Sequence, residues 1–335
     1  MNVIYVLKRI GKMDKGAMFR KIGSIHKKTK KSRIAIFFDM IVCANKYGAG
    51  YMDYDLFEMY NVPKKQRDTY LTRGRNNAID KKYNNKEYIN KVELKDEFNT
   101  NFNKYLKRDW IKVDGTDKKD VIEFIKKHDV FMAKPIDGSC GKKIEKIKVK
   151  DYKNLDELYN HLLNKNFELE ELIIQDESVA KIYPGSINTV RVVSILKDNK
   201  PHIICAYFRI GNGDNFVDNF NSGGMVAPVD EKTGIVKDKA IDKNKNLYEK
   251  HPVTGEKIKG FKFPHWEEAL EMVKEASLIV PEVGYVGWDI GFSNKGPLFV
   301  EANDFPGHDI YQLPEHTPDK IGIYPKFRFA LEKQK

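Results

Sequence analysis

Hydrophobic and polar positions change their period partway along the chain. Up to about Leu106 the apolar residues recur every three or four positions, which predicts helices. Ile34 to Ala44 (IAIFFDMIVCA) is apolar enough to predict a buried helix, and Tyr51, Tyr54, Phe57 and Tyr60 follow at helical spacings as core aromatics. From Val121 the pattern shortens. Val121–Lys127 predicts a helix and Val130–Lys134 (VFMAK) a strand; a glycine-punctuated loop follows, then an apolar pattern at Ile144, Ile147 and Val149. Leu155–Asn164 predicts a helix and Leu172–Gln175 (LIIQ) a strand. Two hairpins are expected: Asn188–Lys197 with Pro201–Ile210, and Tyr285–Phe292 with Leu298–Ala302 around the turn Ser293–Gly296. Between them, Trp266–Ile279 predicts a helix burying Trp266, Ala269, Leu270, Val273 and Ala276. Helices and antiparallel hairpins in one chain point to an α+β fold.

Chemistry gathers at the hairpins. A hairpin centred on Lys295 places Asp289 opposite Glu301, and Asn303, two residues further, points to the same face. Two carboxylates and an amide oxygen on an otherwise apolar sheet make a donor set for a hard cation such as Mg²⁺; solvent-facing strand carboxylates are the alternative. The strand that ends in Lys134 runs into Gly138, Ser139, Cys140 and Gly141. Glycines let backbone N–H groups approach a phosphate and a lysine adds a point charge. The loop is not a Walker motif, which needs GK[ST] opening a helix, and an ordinary glycine hairpin would look alike. The strand at Leu172 ends in Gln175, Asp176, Glu177 and Ser178, where backbone groups of Asp176 and Ser178 suit the edge of a purine. Centred near Lys200, the earlier hairpin makes Arg191 and Arg209 cross-strand neighbours. Like charges side by side repel, so a shared anion such as a polyphosphate or acyl phosphate would account for them; splayed or salt-bridged arginines are the other reading. The polar loop Gly211–Gly224 offers Asp218, Asn219, Gly223 and Gly224 to a substrate, and His308 lies in the loop after the carboxylate hairpin, as a substrate-side or a structural residue.

Composition narrows the class. The 335 residues, 41% hydrophobic and 32% charged, are globular in character and can hold roughly two domains' worth of core. No run approaches the roughly 18 apolar residues of a membrane-spanning helix, and the first residues lack the apolar block of a signal peptide. Cys43, Cys140 and Cys205 are odd in number and far apart, which fits a reducing cytoplasm and neither zinc nor a disulfide framework. The net charge of +11 is concentrated: residues 1–33 carry eleven Lys or Arg against one acid, Asp14, leaving 48 basic and 47 acidic residues elsewhere. A basic amphipathic segment of this kind is either a solvated or packed helix or one that suits an anionic membrane surface. Nucleic acid is disfavoured, because stacking aromatics are sparse there and no nucleic-acid module follows.

The lysine–glycine loop, the strand ending QDES, the arginine hairpin and the Asp289/Glu301/Asn303 hairpin come in an order that resembles the ATP-grasp superfamily. More closely, NTVRVVS, FRIGNG, VDNFNSGG, GWDIGF and FVEANDFPG are similar to the sugar-transfer-associated ATP-grasp proteins found with polysaccharide synthesis genes. The resemblance implies two α+β lobes holding ATP between them, after a mainly helical N-terminal region. The expected segments are 1–110 (basic and helical), 111–180 (lid lobe with the glycine loop) and 181–335 (C-terminal lobe with the Mg²⁺ site). It further implies Lys134 on the α/β-phosphates, Gly138–Gly141 as a closing lid, and Asp289, Glu301 and Asn303 around Mg²⁺. Arg191 and Arg209 would stabilise the transferring phosphoryl group and an acyl phosphate. Gln175 stands where a hinge glutamate is common, and Lys142-Lys143 where a further glycine is often seen. The implied activity is an ATP-dependent carboxylate–amine ligase acting on a sugar-linked intermediate, cytoplasmic or at the inner membrane face. A kinase of the same fold and a non-catalytic nucleotide-binding scaffold are the alternatives.

Overall fold

The computed structural model describes residues 14–136, 143–213, 220 and 223–332. The chain divides into two compact units, Met1–Lys82 with Gly307–Lys335, and Tyr83–Pro306. The helical stretch read as 1–110 is thus divided at Lys82, and residues from Gly307 onward complete the first unit. A linear pattern holds no sign of that return, which rests on contacts distant in sequence: the Gln312 side chain accepts from Leu71 N at 3.0 Å and donates to Leu71 O at 2.5 Å.

Helices build the first unit. Helix Lys15–Thr29 starts at Asp14, whose carboxylate accepts from Ala17 N at 2.9 Å and satisfies one of the open N–H groups of the first turn. Helix Arg33–Tyr47 ends at Gly48 with φ of 69°, a left-handed position that glycine fills without strain. Gly74 N donates to Gly48 O at 3.0 Å, and a Cβ on Gly74 would lie 2.7 Å from that oxygen, so the backbones meet only because both residues are bare. Met18, Ile22, Ile25, Ile36, Met40, Cys43 and Tyr47 form the core with Tyr54, Phe57 and Tyr60, as expected of the aromatic run. Arg67 pairs with Asp39 through two bonds of 2.7 and 2.9 Å, and Tyr54 donates to the same carboxylate at 2.7 Å. One expectation fails here. The helix over Ile34–Ala44 is only half buried: Ile36, Met40 and Cys43 face the core while Ile34, Phe38, Ile41 and Val42 are exposed. A helix lying on a core covers one stripe, and an apolar composition all round cannot say which.

The second unit holds two antiparallel sheets. The small one has the order β1 (Trp110–Lys112), β4 (Phe167–Glu171), β2 (Val130–Pro135), β3 (Glu145–Lys148). Helices Lys118–Lys127 and Leu155–Asn164, capped by Asp117 and Asn154, pack Val121, Phe124, Leu158 and Leu162 against Phe131, Ala133, Phe167 and Leu169 of that sheet. The large sheet runs β11 (Gly296–Asn303), β10 (Tyr285–Ser293), β5 (Thr189–Lys197), β6 (Lys200–Ile210), β7 (Met225–Val229), β8 (Ala240–Ile241), β9 (Leu247–Tyr248). Helix Trp266–Ala276 buries Trp266, Ala269, Met272, Val273 and Ala276 in the cluster that also holds Phe208, Trp288, Phe292 and Phe299. Among the described residues no helix is long and apolar enough to cross a membrane.

Strand placement differs from the expectation at one point. The strand before the hinge is Phe167–Glu171, not Leu172–Gln175; of the later residues, only Gln175 makes a bridge, to Ser293. FELEE alternates and pairs in register between β1 and β2, whereas the apolar run LII merely leads out of the sheet.

Candidate functional site

The large sheet supplies the first cluster. Asp289 lies opposite Glu301, as the hairpin predicts, although the turn is tighter than expected. Ser293 pairs with Gly296 at the turn, and an irregularity between Asp289 and Ile290 restores the pairing of Asp289 with Glu301. On its other side Asp289 pairs with Arg191 of β5. The arginines are not directly opposite each other: Arg191 faces Tyr207 and Thr189 faces Arg209. The reason is a two-residue turn, with Asp198 and Asn199 at φ of 52° and 56°, the all-positive geometry that matches the strand twist, followed by an irregularity between Val193 and Ser194 that moves the pairing by one residue; the hairpin centre is therefore not at Lys200. Two residues apart in register, Arg191 and Arg209 still share a face.

Both arginines close on Asp289. Arg191 Nε donates to Oδ1 and Nη2 to Oδ2, each at 2.6 Å, and Arg209 Nη1 donates to Oδ2. The repulsion expected between the guanidiniums is thus met by a carboxylate of the sheet itself. Asp289 is 1% exposed. Burial alone would raise its carboxyl, but the charges of Arg191 and Arg209 outweigh that and hold it well below the usual carboxylate range. Glu301 lies 3.8 Å from Arg191 Nη2. Desolvation and the charge on Asp289 push it up to about 7; with 53% of the side chain open to solvent, the Asp289 charge is the firmer cause. Asn303 has a buried Nδ2 with no hydrogen-bond partner. Turned about its last bond, that amide presents its oxygen in the same place. Two carboxylates, one half open, beside an unsatisfied amide fit a hard cation.

The small sheet carries a second cluster, which the sequence reading missed. Lys134 Nζ donates to Glu170 Oε2 at 2.6 Å, and Arg108 Nε donates to the same oxygen at 2.8 Å. Arg108 Nη1 also donates to Phe299 O of β11 at 2.6 Å, so it ties the small sheet to the strand that carries Glu301. Burial would raise Glu170, but Arg108 and Lys134 hold it well below the carboxylate range. Glu168, fully buried, takes a hydrogen bond from Asn99 Nδ2 at 2.7 Å. Burial first, and the Glu170 charge second, push it up to about 8. The signal was in FELEE: glutamates two apart, alternating with Phe167 and Leu169, share one face of a strand.

The remaining candidates are dispersed. Gln175 Nε2 donates to Ser186 O at 2.7 Å and its Oε1 accepts from Asn188 N at 2.9 Å. Asp176 caps helix Glu177–Ile182, accepting from Ser178 N at 2.9 Å. Gly223, at φ of 103°, and Gly224 lead into β7. His308 belongs to the first unit, 7% exposed, with Nε2 hydrogen-bonded to Asp53 Oδ1 at 2.8 Å. Gly138, Ser139, Gly141, Asp218 and Asn219 lie outside the described residues. Asp109, His128 and Glu171 also bring ligand atoms within 4.8 Å of one another; Lys127 pairs with Asp109 and Lys295 with Glu171, so this group reads as an ion-pair network.

Comparison with solved structures places ATP-grasp proteins beside the chain. The ATP-grasp ligase PsnB, in complex with a minimal precursor, Mg and ADP, is 14% identical with a TM-score of 0.41, over 73% of this chain and 62% of that one. D-alanyl-alanine synthetase A from Vibrio cholerae is 9% identical with a TM-score of 0.43, over 72% and 66%. N5-carboxyaminoimidazole synthetase from Staphylococcus aureus, complexed with ADP, is 10% identical with a TM-score of 0.39, over 65% and 45%. The chain thus spans less than two thirds of PsnB. No curated protein matches the chain. The model of the sugar-transfer-associated ATP-grasp family matches residues 74–318. With well over half of its residues matched, and with the α+β architecture described above, the chain belongs to the sugar-transfer-associated ATP-grasp family.

Proposed function

We propose that the chain is an ATP- and Mg²⁺-dependent carboxylate–amine ligase that acts on a sugar-linked or surface-polysaccharide intermediate at the cytoplasmic membrane face. The observation that carries this reading is the convergence of Arg191 and Arg209 on Asp289 beside the half-open Glu301. Phosphoryl transfer asks a protein mainly for positioning and charge neutralisation, and this row offers both without a nucleophile of its own. Asp289, Glu301 and Asn303 would hold Mg²⁺, which when bound neutralises phosphate charge. Lys134, now on Glu170, would turn to the α/β-phosphates, with Gly138, Ser139 and Gly141 closing over them. Gln175, Asp176 and Ser178 would border the nucleotide base. Arg191 and Arg209 would stabilise the transferring phosphoryl group and the acyl phosphate. The acceptor carboxylate would take the γ-phosphoryl group with loss of ADP, and an amine would then displace phosphate, which leaves with the proton the amine gives up, to form the amide. Asp218, Asn219, Gly223 and Gly224 would meet the substrates, while His308 is held by Asp53 within the first unit. The sugar-linked acceptor is favoured by the family's association with sugar transfer, and the membrane face by the basic charge of residues 1–33.

Calorimetry of ATP binding with and without Mg²⁺, on the wild type and on Glu301→Ala, tests the site. Metal-dependent binding that the variant loses is the expected result, followed by ADP release on screening carboxylates with amino sugars. Absence of nucleotide binding in the wild type would overturn the reading. A phosphorylated product without an amide would replace the ligase by a kinase.

A further inference from the structure

We infer that helices Lys15–Thr29 and Arg33–Tyr47 present a docking face for an anionic lipid bilayer. This rests on the membrane half of the proposal above and is independent of its chemistry. Ile34, Phe38, Ile41 and Val42 are 70%, 60%, 40% and 52% exposed, and spacings of three and four put them on one side of their helix. Phe19, 60% exposed on the preceding helix, extends the strip. Its ring stacks on Phe37 at 6.4 Å, and Phe37 meets Phe38 edge-on at 5.6 Å. Single exposed apolar residues need no explanation, but a contiguous patch marks an interaction surface.

Charge selects the occupant. The one acid on helix Arg33–Tyr47 is Asp39, whose carboxylate accepts from Arg67 and Tyr54. Nearby Asp55 and Glu58 are paired with Lys21 and Lys28. Exposed Arg20, Lys27, Lys30, Arg33 and Lys46 lie on the same two helices and the turn between them. Apolar side chains rimmed by basic ones match the boundary between acyl chains and anionic headgroups. Each helix has 15 residues, about 22 Å, and neither is long and apolar enough to cross a membrane, so the face would lie in the interface. Met18, Ile22 and Ile25 of the basic helix are core residues, so the face is tested by substitution of its exposed side chains and not by deletion of the helix.

Flotation of the full chain with vesicles of phosphatidylglycerol and phosphatidylcholine, against phosphatidylcholine alone, tests the face. The double variant Ile34→Ser/Phe38→Ser is compared with the wild type, and thermal melting checks that both are folded. The wild type should float with the anionic vesicles alone, and the variant should partition at least about tenfold less. Unchanged partitioning of the variant would overturn the proposal, leaving the basic charges alone to bind. Failure of the wild type to float would overturn it too, and a dimer that the variant makes monomeric would give the face to a second copy. Because neither substituted residue is in the nucleotide site, ATP binding should persist in the variant. Loss of flotation with ATP binding intact in the wild type, or the reverse, separates this inference from the enzymatic one.

Discussion

Asp289 with Glu301 on the large sheet, and Glu170 with Glu168 on the small one, are carboxylate pairs built on one plan. In each, one carboxylate takes two cations: Arg191 and Arg209 on Asp289, Arg108 and Lys134 on Glu170. In each, that carboxylate stays ionised and its neighbour is pushed up, Glu301 to about 7 and Glu168 to about 8. Solvent separates them. Glu301 is half open, while Glu168 is wholly buried and tied to Asn99. A half-open carboxyl can lose its proton to an arriving cation at modest cost; a buried one pays the full desolvation of its charge and stays neutral. On that ground we propose the open pair for ligand binding, while the closed pair anchors Arg108 and carries Lys134 in the structure described.

The largest effect should come from Asp289→Asn. It takes from Arg191 and Arg209 the carboxylate they share and should cost about 3–5 kcal/mol in urea unfolding. Glu170→Gln should cost less, about 1–3 kcal/mol, because it removes the Glu170 charge, one of the two main causes that keep Glu168 neutral, and Lys134 and Arg108 can then draw Glu168 into ionisation; an equal loss in both variants would mean that burial alone keeps Glu168 neutral. Glu168→Gln tests the neutral state. The folded protein holds that proton from about 4.5 up to about 8, so the contribution is full below the unfolded value and is lost as pH rises through 8. Wild-type stability should therefore fall between pH 5 and 8 more steeply than that of the variant, and parallel pH profiles would mean Glu168 is ionised. Glu301→Gln should be the mildest for the fold, under about 1 kcal/mol, while Mg²⁺-dependent nucleotide binding weakens by about tenfold or more. Equal binding with and without the carboxylate would take Glu301 out of the site.

How far these pairs can be read in advance differs for the same reason. Asp289 opposite Glu301 follows from a short hairpin, and an irregularity beside Asp289 corrects the tighter turn. The partner of Arg191 is misjudged by two residues, because positive φ at both Asp198 and Asn199 makes a two-residue turn and an irregularity between Val193 and Ser194 shifts the register again. The Glu168/Glu170 pair is missed because LII looks more strand-like than FELEE, whose glutamates are stable inside only through Arg108, Lys134 and Asn99. The half-exposed helix Arg33–Tyr47 is misread because apolar residues surround it on every side.

The sequence by itself determined the order of helices and strands, the two hairpins, and the sharing of a face by Asp289, Glu301 and Asn303. Those follow from side-chain period and turn length, which act over a few residues. Only the tertiary structure decided that Asp289 would take both arginines, that Glu170 would take Lys134 and Arg108, and that residues from Gly307 would complete the first unit. Ion pairing and burial depend on which strands lie side by side, and Arg209 and Asp289 meet across β5 although 80 residues separate them.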